Sequence, residues 1–248
     1  MTRLLSILTA LVFLTACNGG GLGPTNDTPA TAAELFAQAE AFESQNRYAR
    51  AVEAYEQIQQ LYPHDPLAVQ AQFQKAMALH ASQKYGEAIV AFDEFLAFNP
   101  GHPLEIEAVY FRARSFYDEI PDVFRDQAVT KDAKVAFLDL IKRFPGTARA
   151  RDAERKLVLI YDQLAGHEMV VGRTYQSQNQ HLAAQNRFKE VIEEYPTTTQ
   201  VPEAFYRLVE TSLALGLAGE ARRYGATLGY NYPSSQWYHR AYDLLTDS

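Results

Sequence analysis

Cys17 is the single cysteine among 248 residues, and its thiolate is the strongest nucleophile the chain offers. With no second cysteine, an intrachain disulfide is excluded. The histidines are His64, His80, His102, His167, His181 and His239, and no two stand at the i, i+4 spacing that lets two imidazoles share a metal. There is no G-x-S-x-G elbow, no P-loop, and no G-x-G-x-x-G following a strand. Glu53, Glu56, Glu193 and Glu194 fall at surface positions of helical segments, where paired acids form a solvated face rather than an acid–base couple. The expectation is no catalytic residue, no metal and no cofactor, with Cys17 as the one site of covalent chemistry.

The flanks of Cys17 say which chemistry that is. Arg3 is the only charge before it, and Leu4 to Ala16 carry none. A bilayer-spanning helix needs ~20 apolar residues, so this shorter run reads as an export signal with small residues before a cut. Leu14-Thr15-Ala16-Cys17 resembles the lipobox of bacterial lipoproteins. The resemblance implies cleavage before Cys17, a diacylglycerol on its sulfur and an acyl chain on the new amino group, enough lipid for stable anchoring. Loss of residues 1–16 removes Arg3 and leaves 22 basic against 30 acidic residues, a net charge of −8. That balance disfavours nucleic acid, whose phosphates need a basic face, and offers no polybasic membrane patch. Residues 18–31, NGGGLGPTNDTPAT, predict a flexible tether spanning about 20 Å. In lipoproteins an aspartate after the cysteine tends to retain the protein in the inner membrane; Asn18 there points to the outer membrane, with the body facing the periplasm.

Five seventeen-residue segments align on a closing proline: RYARAVEAYEQIQQLYP (47–63), KYGEAIVAFDEFLAFNP (84–100), VTKDAKVAFLDLIKRFP (129–145), QHLAAQNRFKEVIEEYP (180–196) and LAGEARRYGATLGYNYP (217–233). Twelve before each proline stands Ala51, Ala88, Ala133, Ala184 or Ala221. Eight before it stands Tyr55, Phe92, Phe137 or Phe188, with Gly225 the exception. Five before it the residue is always apolar. Directly before it stand Tyr62, Phe144, Tyr195 and Tyr232, with Asn99 the exception. Offsets of four and three put these positions on one helical face. Alanine permits a close helix crossing, the aromatic fills the space beside it, and proline ends the helix.

Each segment is therefore the second helix of a pair. First helices are expected over 32–45 and 67–82, with small Ala39 and Ala76 each 24 residues before the proline. This pattern resembles the tetratricopeptide repeat. The resemblance implies an all-α, right-handed superhelix of five helical hairpins. The proline spacing departs from 34: residues 118–130 predict a loop with a proline break, and 148–178 a long helix striped by Leu157, Ile160, Tyr161, Leu164, Glu168, Val171 and Tyr175. Residues 234–245 predict a capping helix with Ser235 as its N-cap. The organisation expected is a signal peptide at 1–16, a lipidated tether at 17–31, amino-terminal repeats at 32–145 and carboxy-terminal repeats with cap at 146–248.

Aromatics are in surplus, with 15 Tyr and 14 Phe. Most must be core. Tyr48, Phe73, Tyr85, Phe98, Tyr110, Phe111 and Tyr117 exceed what the repeat requires. First helices line the concave side of such an array, and that groove suits an extended peptide. Arg47, Arg50, Lys75, Arg112 and Arg114 could meet a peptide carboxylate there. Arg187 stands where the first three repeats carry Ala54, Ala91 and Ala136, which marks either a contact beyond the array or a snorkelling surface arginine. In Asn-Pro-Gly-His-Pro (99–103), His102 reads as a helix-capping residue.

Together the lipidated cysteine, the tether, the five hairpins and the long fourth-repeat helix resemble the BamD lipoproteins of the outer-membrane β-barrel assembly machinery. The stretches that carry the resemblance are RYARAVEAYEQIQQLYP, NPGHPLEIEAVYFRARS, FRDQAVTKDAKVAFLDLIKRFPGT, DAERKLVLIYDQLAGHEMVVGRTY and NRFKEVIEEYPTT. It implies a non-enzymatic role with three kinds of partner: the barrel subunit, other lipoproteins of that complex, and client β-barrel proteins. It places a client-peptide groove in the amino-terminal repeats, expected at Arg47, Tyr48, Tyr62 and Phe73, and subunit docking in the carboxy-terminal repeats at Arg187. The family's arginine after the aromatic at 48 is here Ala49, so Arg47 or Arg50 would substitute. Two other readings are compatible with repeats alone: a tetratricopeptide lipoprotein of another envelope complex, or a cell-wall hydrolase carrying repeats, for which no catalytic constellation stands in the sequence.

Overall fold

A computed structural model describes residues 30–246. The predicted leader, Cys17 and all of the predicted tether except Ala30 and Thr31 lie outside the described residues. From Ala32 onward the chain forms one compact unit. Among the described residues, all regular structure is helical: α1 (Ala32–Ser44), α2 (Tyr48–Leu61), α3 (Pro66–Ala81), α4 (Tyr85–Phe98), α5 (Glu105–Asp118), α6 (Ala128–Arg143), α7 (Ala148–Ser177), α8 (His181–Glu194), α9 (Val201–Ala214), α10 (Ala218–Asn231) and α11 (Gln236–Thr246).

The repeat positions build the core. The alanine twelve before each proline, the four aromatics eight before, and Ile58, Phe95, Leu140, Val191 and Leu228 five before are all fully buried. Each second helix ends at the residue preceding proline, where φ lies between −128° and −136°. Each such residue gives its N–H to the carbonyl of that buried apolar residue four positions back. The ring of the following proline disfavours further helix.

The turn inside four hairpins also repeats. Asn46, Gln83, Asn179 and Gly216 all have left-handed φ and all stand 17 before the proline. The next N–H in each case reaches back five residues, Arg47 to Phe42, Lys84 to Leu79, Gln180 to Tyr175 and Leu217 to Ser212. That is the Schellman closure of a first helix. In the third repeat a loop replaces it, shorter than the 118–130 predicted: α5 runs through Asp118 and α6 begins at Ala128, leaving residues 119–127 around Pro121.

Successive helices pack in order. The first helices also touch one another, α1 with α3, α3 with α5, α5 with α7 and α9 with α11, whereas the second helices make no comparable contacts. First helices therefore form the inner layer. The predicted stripe of α7 is corrected toward its carboxy-terminal end: Tyr161 and Tyr175 pack half-buried against the core and Val171 is half-buried, while Met169 and Gly172 are buried beside Glu168. Gly172 is needed because a Cβ there would overlap the Phe188 ring, standing 2.9 Å from its Cδ1. It occupies the small position that Ala39 and Ala76 hold, 24 before its proline.

The exceptions in the repeat also have packing reasons. Gly225 lacks the aromatic because Leu245 of the cap helix fills the place; a Cβ there would meet Leu245 Cδ1 at 2.5 Å. Asn99 replaces the aromatic before proline by donating to Gln72 Oε1 and to the Phe95 carbonyl, each at 2.9 Å. Ser235 Oγ accepts from the Trp237 N–H at 3.2 Å, as a cap should.

Candidate functional site

Two regions hold the residues expected to bind other chains. At the amino-terminal end Arg47 is the N-cap of α2. Its guanidinium lies 4.7 Å from the Phe42 ring centroid and donates to Gln45 Oε1. A recess of about 210 Å³ lies here, lined by Gln38, Phe42, Arg47, Arg50, Glu53 and Gln57. The Tyr48 hydroxyl donates to Asn46 Oδ1 at 3.0 Å. Tyr62 is the C-cap at the other end of α2, about 20 Å away by helix rise. These residues do not converge on one point; a ligand touching both ends of α2 must be extended.

Phe73 is corrected. It is 7% exposed and packs edge-on against Phe92 and Phe95, with centroids 6.1 and 5.5 Å apart. Its helical register turns it into the α3–α4 core, so it does not line a groove. Tyr110 is likewise buried, and Phe111 and Tyr117 pack against the core. Phe98 is 76% exposed.

The inner layer is stitched by polar pairs between consecutive first helices. From α3 to α5, His80 Nδ1 lies 2.9 Å from Ser115 Oγ and Nε2 lies 3.6 Å from Asp118, whose two oxygens share the Arg114 Nε–H. Burial pushes the His80 imidazole below its ordinary pKa, against the pull of Asp118. This trio has hydrolase residue types, but Ser115 is fully buried and its hydroxyl donates to the Phe111 carbonyl, so no substrate can reach it. From α5 to α7, Arg149 pairs with Glu107 at 2.9 and 2.6 Å and lies 4.3 Å over the Tyr110 ring. The Tyr110 hydroxyl donates to Asp152 at 2.7 Å. Burial disfavours the Asp152 charge, but the Tyr110 hydroxyl, Arg155 and Lys156 outweigh it and hold the carboxyl below its usual range.

From α7 to α9, Gln176 donates to Glu210 and Arg173 to Glu203. Arg207 is held between Glu203 and Glu210. Burial, reinforced by Glu210, pushes the Tyr206 hydroxyl up to about 12. From α9 to α11, Tyr206 packs on Trp237, with Arg207 and Arg240 near that indole. Of the expected groove cations, Arg50, Lys75, Arg112 and Arg114 all have acidic partners. Arg47 has none among the described residues. Sequence reading missed the pairs Glu107–Arg149, Tyr110–Asp152, Tyr117–Lys156 and Tyr206–Trp237, because the partners lie about 30 to 40 residues apart and no local spacing announces them.

In the carboxy-terminal region Arg187 Nη1 lies 3.0 Å from Glu168 Oε2 and 3.6 Å from Glu190. Its side chain stays 40% exposed while that of Glu168 is 9% exposed. Burial, with Glu168 nearby, pushes Glu190 above its ordinary value. Arg187 thus neutralises an acidic pocket of its own chain and keeps part of its guanidinium at the surface. His102 is corrected: its Nδ1 accepts from the Leu104 N–H two residues on, closing the turn ahead of α5, whose N-cap is Leu104 with no side-chain cap bond, so His102 does not cap the helix itself. Among the described residues no cluster of three metal-binding side chains forms, and no helix is long and apolar enough to cross a membrane.

The family described as Outer membrane lipoprotein, YfiO, matches residues 28–228. A Rickettsia prowazekii protein named outer membrane protein assembly factor BamD is 38% identical over 98% of this chain and 98% of its own length. A protein of the same name from Caulobacter vibrioides is 50% identical over 55% of this chain; that match spans 45% of the relative. Among solved structures, a TPR repeats protein from Bacteroides fragilis covers 88% of this chain and 99% of its own at 16% identity, with a TM-score of 0.49.

Proposed function

The chain belongs to the outer membrane lipoprotein family YfiO, and from that premise we propose that it is a non-enzymatic adaptor for assembling β-barrel proteins in the outer membrane. The observation that carries this reading is the near full-length match to a relative named as an assembly factor. In this role the protein is anchored by acylated Cys17 and faces the periplasm. The amino-terminal repeats take the C-terminal segment of a client barrel as an extended peptide. Arg47 and Tyr48 lie at one end of α2 and Tyr62 at the other, a separation that suits an extended chain. The carboxy-terminal repeats dock on the barrel subunit through the exposed part of Arg187, and other lipoproteins of the complex join the same assembly.

Three measurements test the parts separately. Depletion should lower folded barrel proteins in the outer membrane; unchanged levels would refute the assembly role. Mass spectrometry should find residue 17 acylated at the mature amino terminus. Photo-cross-linking of a client C-terminal peptide should weaken in Tyr62→Ala, and undiminished cross-linking removes Tyr62 from the groove.

A further inference from the structure

The loop at 119–127 has a property the repeat does not require. Its backbone is held at successive points. The Pro121 carbonyl accepts from Gln163 Nε2 at 2.8 Å, and the Val123 carbonyl from His167 Nδ1 at 2.7 Å, both on α7. The Asp122 and Arg125 carbonyls both accept from Gln127 Nε2 at 2.9 Å, and Gln127 is itself 3% exposed and held by the Thr130 hydroxyl. The Phe124 N–H donates to Asp122 Oδ1 at 2.9 Å, and Ile120 packs on the core. Yet Phe124, at the centre of this frame, is 76% exposed.

A flexible loop could fold such a ring inward. This one cannot, because its carbonyls are committed to α7 and Gln127. A backbone fixed in this way removes part of the ordering entropy that an exposed aromatic would otherwise lose on binding, which favours a binding anchor. The charges around it narrow the occupant. Glu119, Asp122 and Asp126 against Arg125 give the segment three negative charges and one positive, a net of −2. An anionic lipid surface would repel these carboxylates. A protein pocket rimmed by lysine or arginine would complement them.

We propose that Phe124 is a docking anchor that enters an apolar, basic-rimmed pocket on another protein subunit of the assembly complex. This rests on the proposed role in barrel assembly. Among the described residues Phe124 belongs to no hydrophobic cluster and is 76% exposed, so its variants should fold as the parent does. The test uses the full acylated chain in its own envelope, with photo-reactive benzoylphenylalanine at position 124 and the complex purified through its barrel subunit. The expected result is one subunit cross-linked at a peptide carrying both apolar and basic residues. Phe124→Ser should lower that subunit's recovery roughly tenfold, the loss typical of an anchoring aromatic, Phe124→Leu should largely restore it, and Glu119→Lys should weaken it. Adducts to lipid, to a second copy of this chain or to nothing would overturn the proposal, as would full recovery with Phe124→Ser. If the unsubstituted chain failed to co-purify with any barrel subunit, the assembly role and this anchor would fall together. If it co-purified and only the position-124 results were null, the anchor alone would fall.

Discussion

Arg187 and Glu168 face each other at 3.0 Å across α8 and α7, one half in solvent and the other almost wholly buried. Removing only the arginine leaves Glu168 uncompensated beside Glu190. Arg187→Ala should therefore destabilise by about 1–3 kcal/mol, discounted from a fully buried pair because Arg187 is exposed. Glu168→Gln in the same chain should recover most of that loss in urea unfolding. Additive losses in the two variants would show that the pair is not coupled.

The same geometry changes how docking must be tested. Arg187→Glu would set a third carboxylate against Glu168 and Glu190, so failed co-purification could report misfolding. The double variant Arg187→Gln, Glu168→Gln keeps the pocket neutral and removes only the guanidinium. It should melt close to the parent and still lose the barrel subunit. Retained co-purification would refute a docking role for Arg187.

Tyr110→Phe removes the hydrogen bond to Asp152 and should cost about 1–2 kcal/mol at neutral pH. The Asp152 carboxyl lies below its ordinary value when folded. Its contribution is therefore complete above about pH 4, the unfolded value, and is lost as pH falls through the folded one. Unfolding curves of parent and variant should converge in that acid range. A difference that persisted there would assign the loss to packing instead.

His80 is half-buried, and burial pushes its imidazole below the ordinary value. The folded state then binds fewer protons than the unfolded chain as pH falls below about 6.5, so this residue subtracts stability on acidification until the folded value is passed. A proton NMR titration should place the His80 midpoint below the ordinary imidazole value of about 6.5. A midpoint at or above that value would contradict the packing around His80.

Gly172→Ala adds helix propensity worth about 1 kcal/mol but drives a methyl into the fully buried Phe188 ring. Overpacking should win, with a net loss of about 1–2 kcal/mol in thermal or urea unfolding. A stabilised variant would mean that α7 and α8 separate more easily than the packing implies.

The sequence alone determined the repeat. Alanine, aromatic, aliphatic and proline at fixed offsets obey helical geometry and local sterics, so Ala51, Tyr55, Ile58 and Pro63 announce their helix, its buried face and its end without any neighbour. The tertiary structure decided which surplus residues stay available. Phe73 and Phe124 are the same residue type, yet one is sealed between α3 and α4 and the other is held in solvent by Gln163, His167 and Gln127. Spacing along a chain reports what lies one helical turn away. The exposure of a side chain depends on partners beyond that turn, about 20 residues away for Phe73 and about 40 for Phe124, whose approach is set by packing between helices, and no local pattern encodes it.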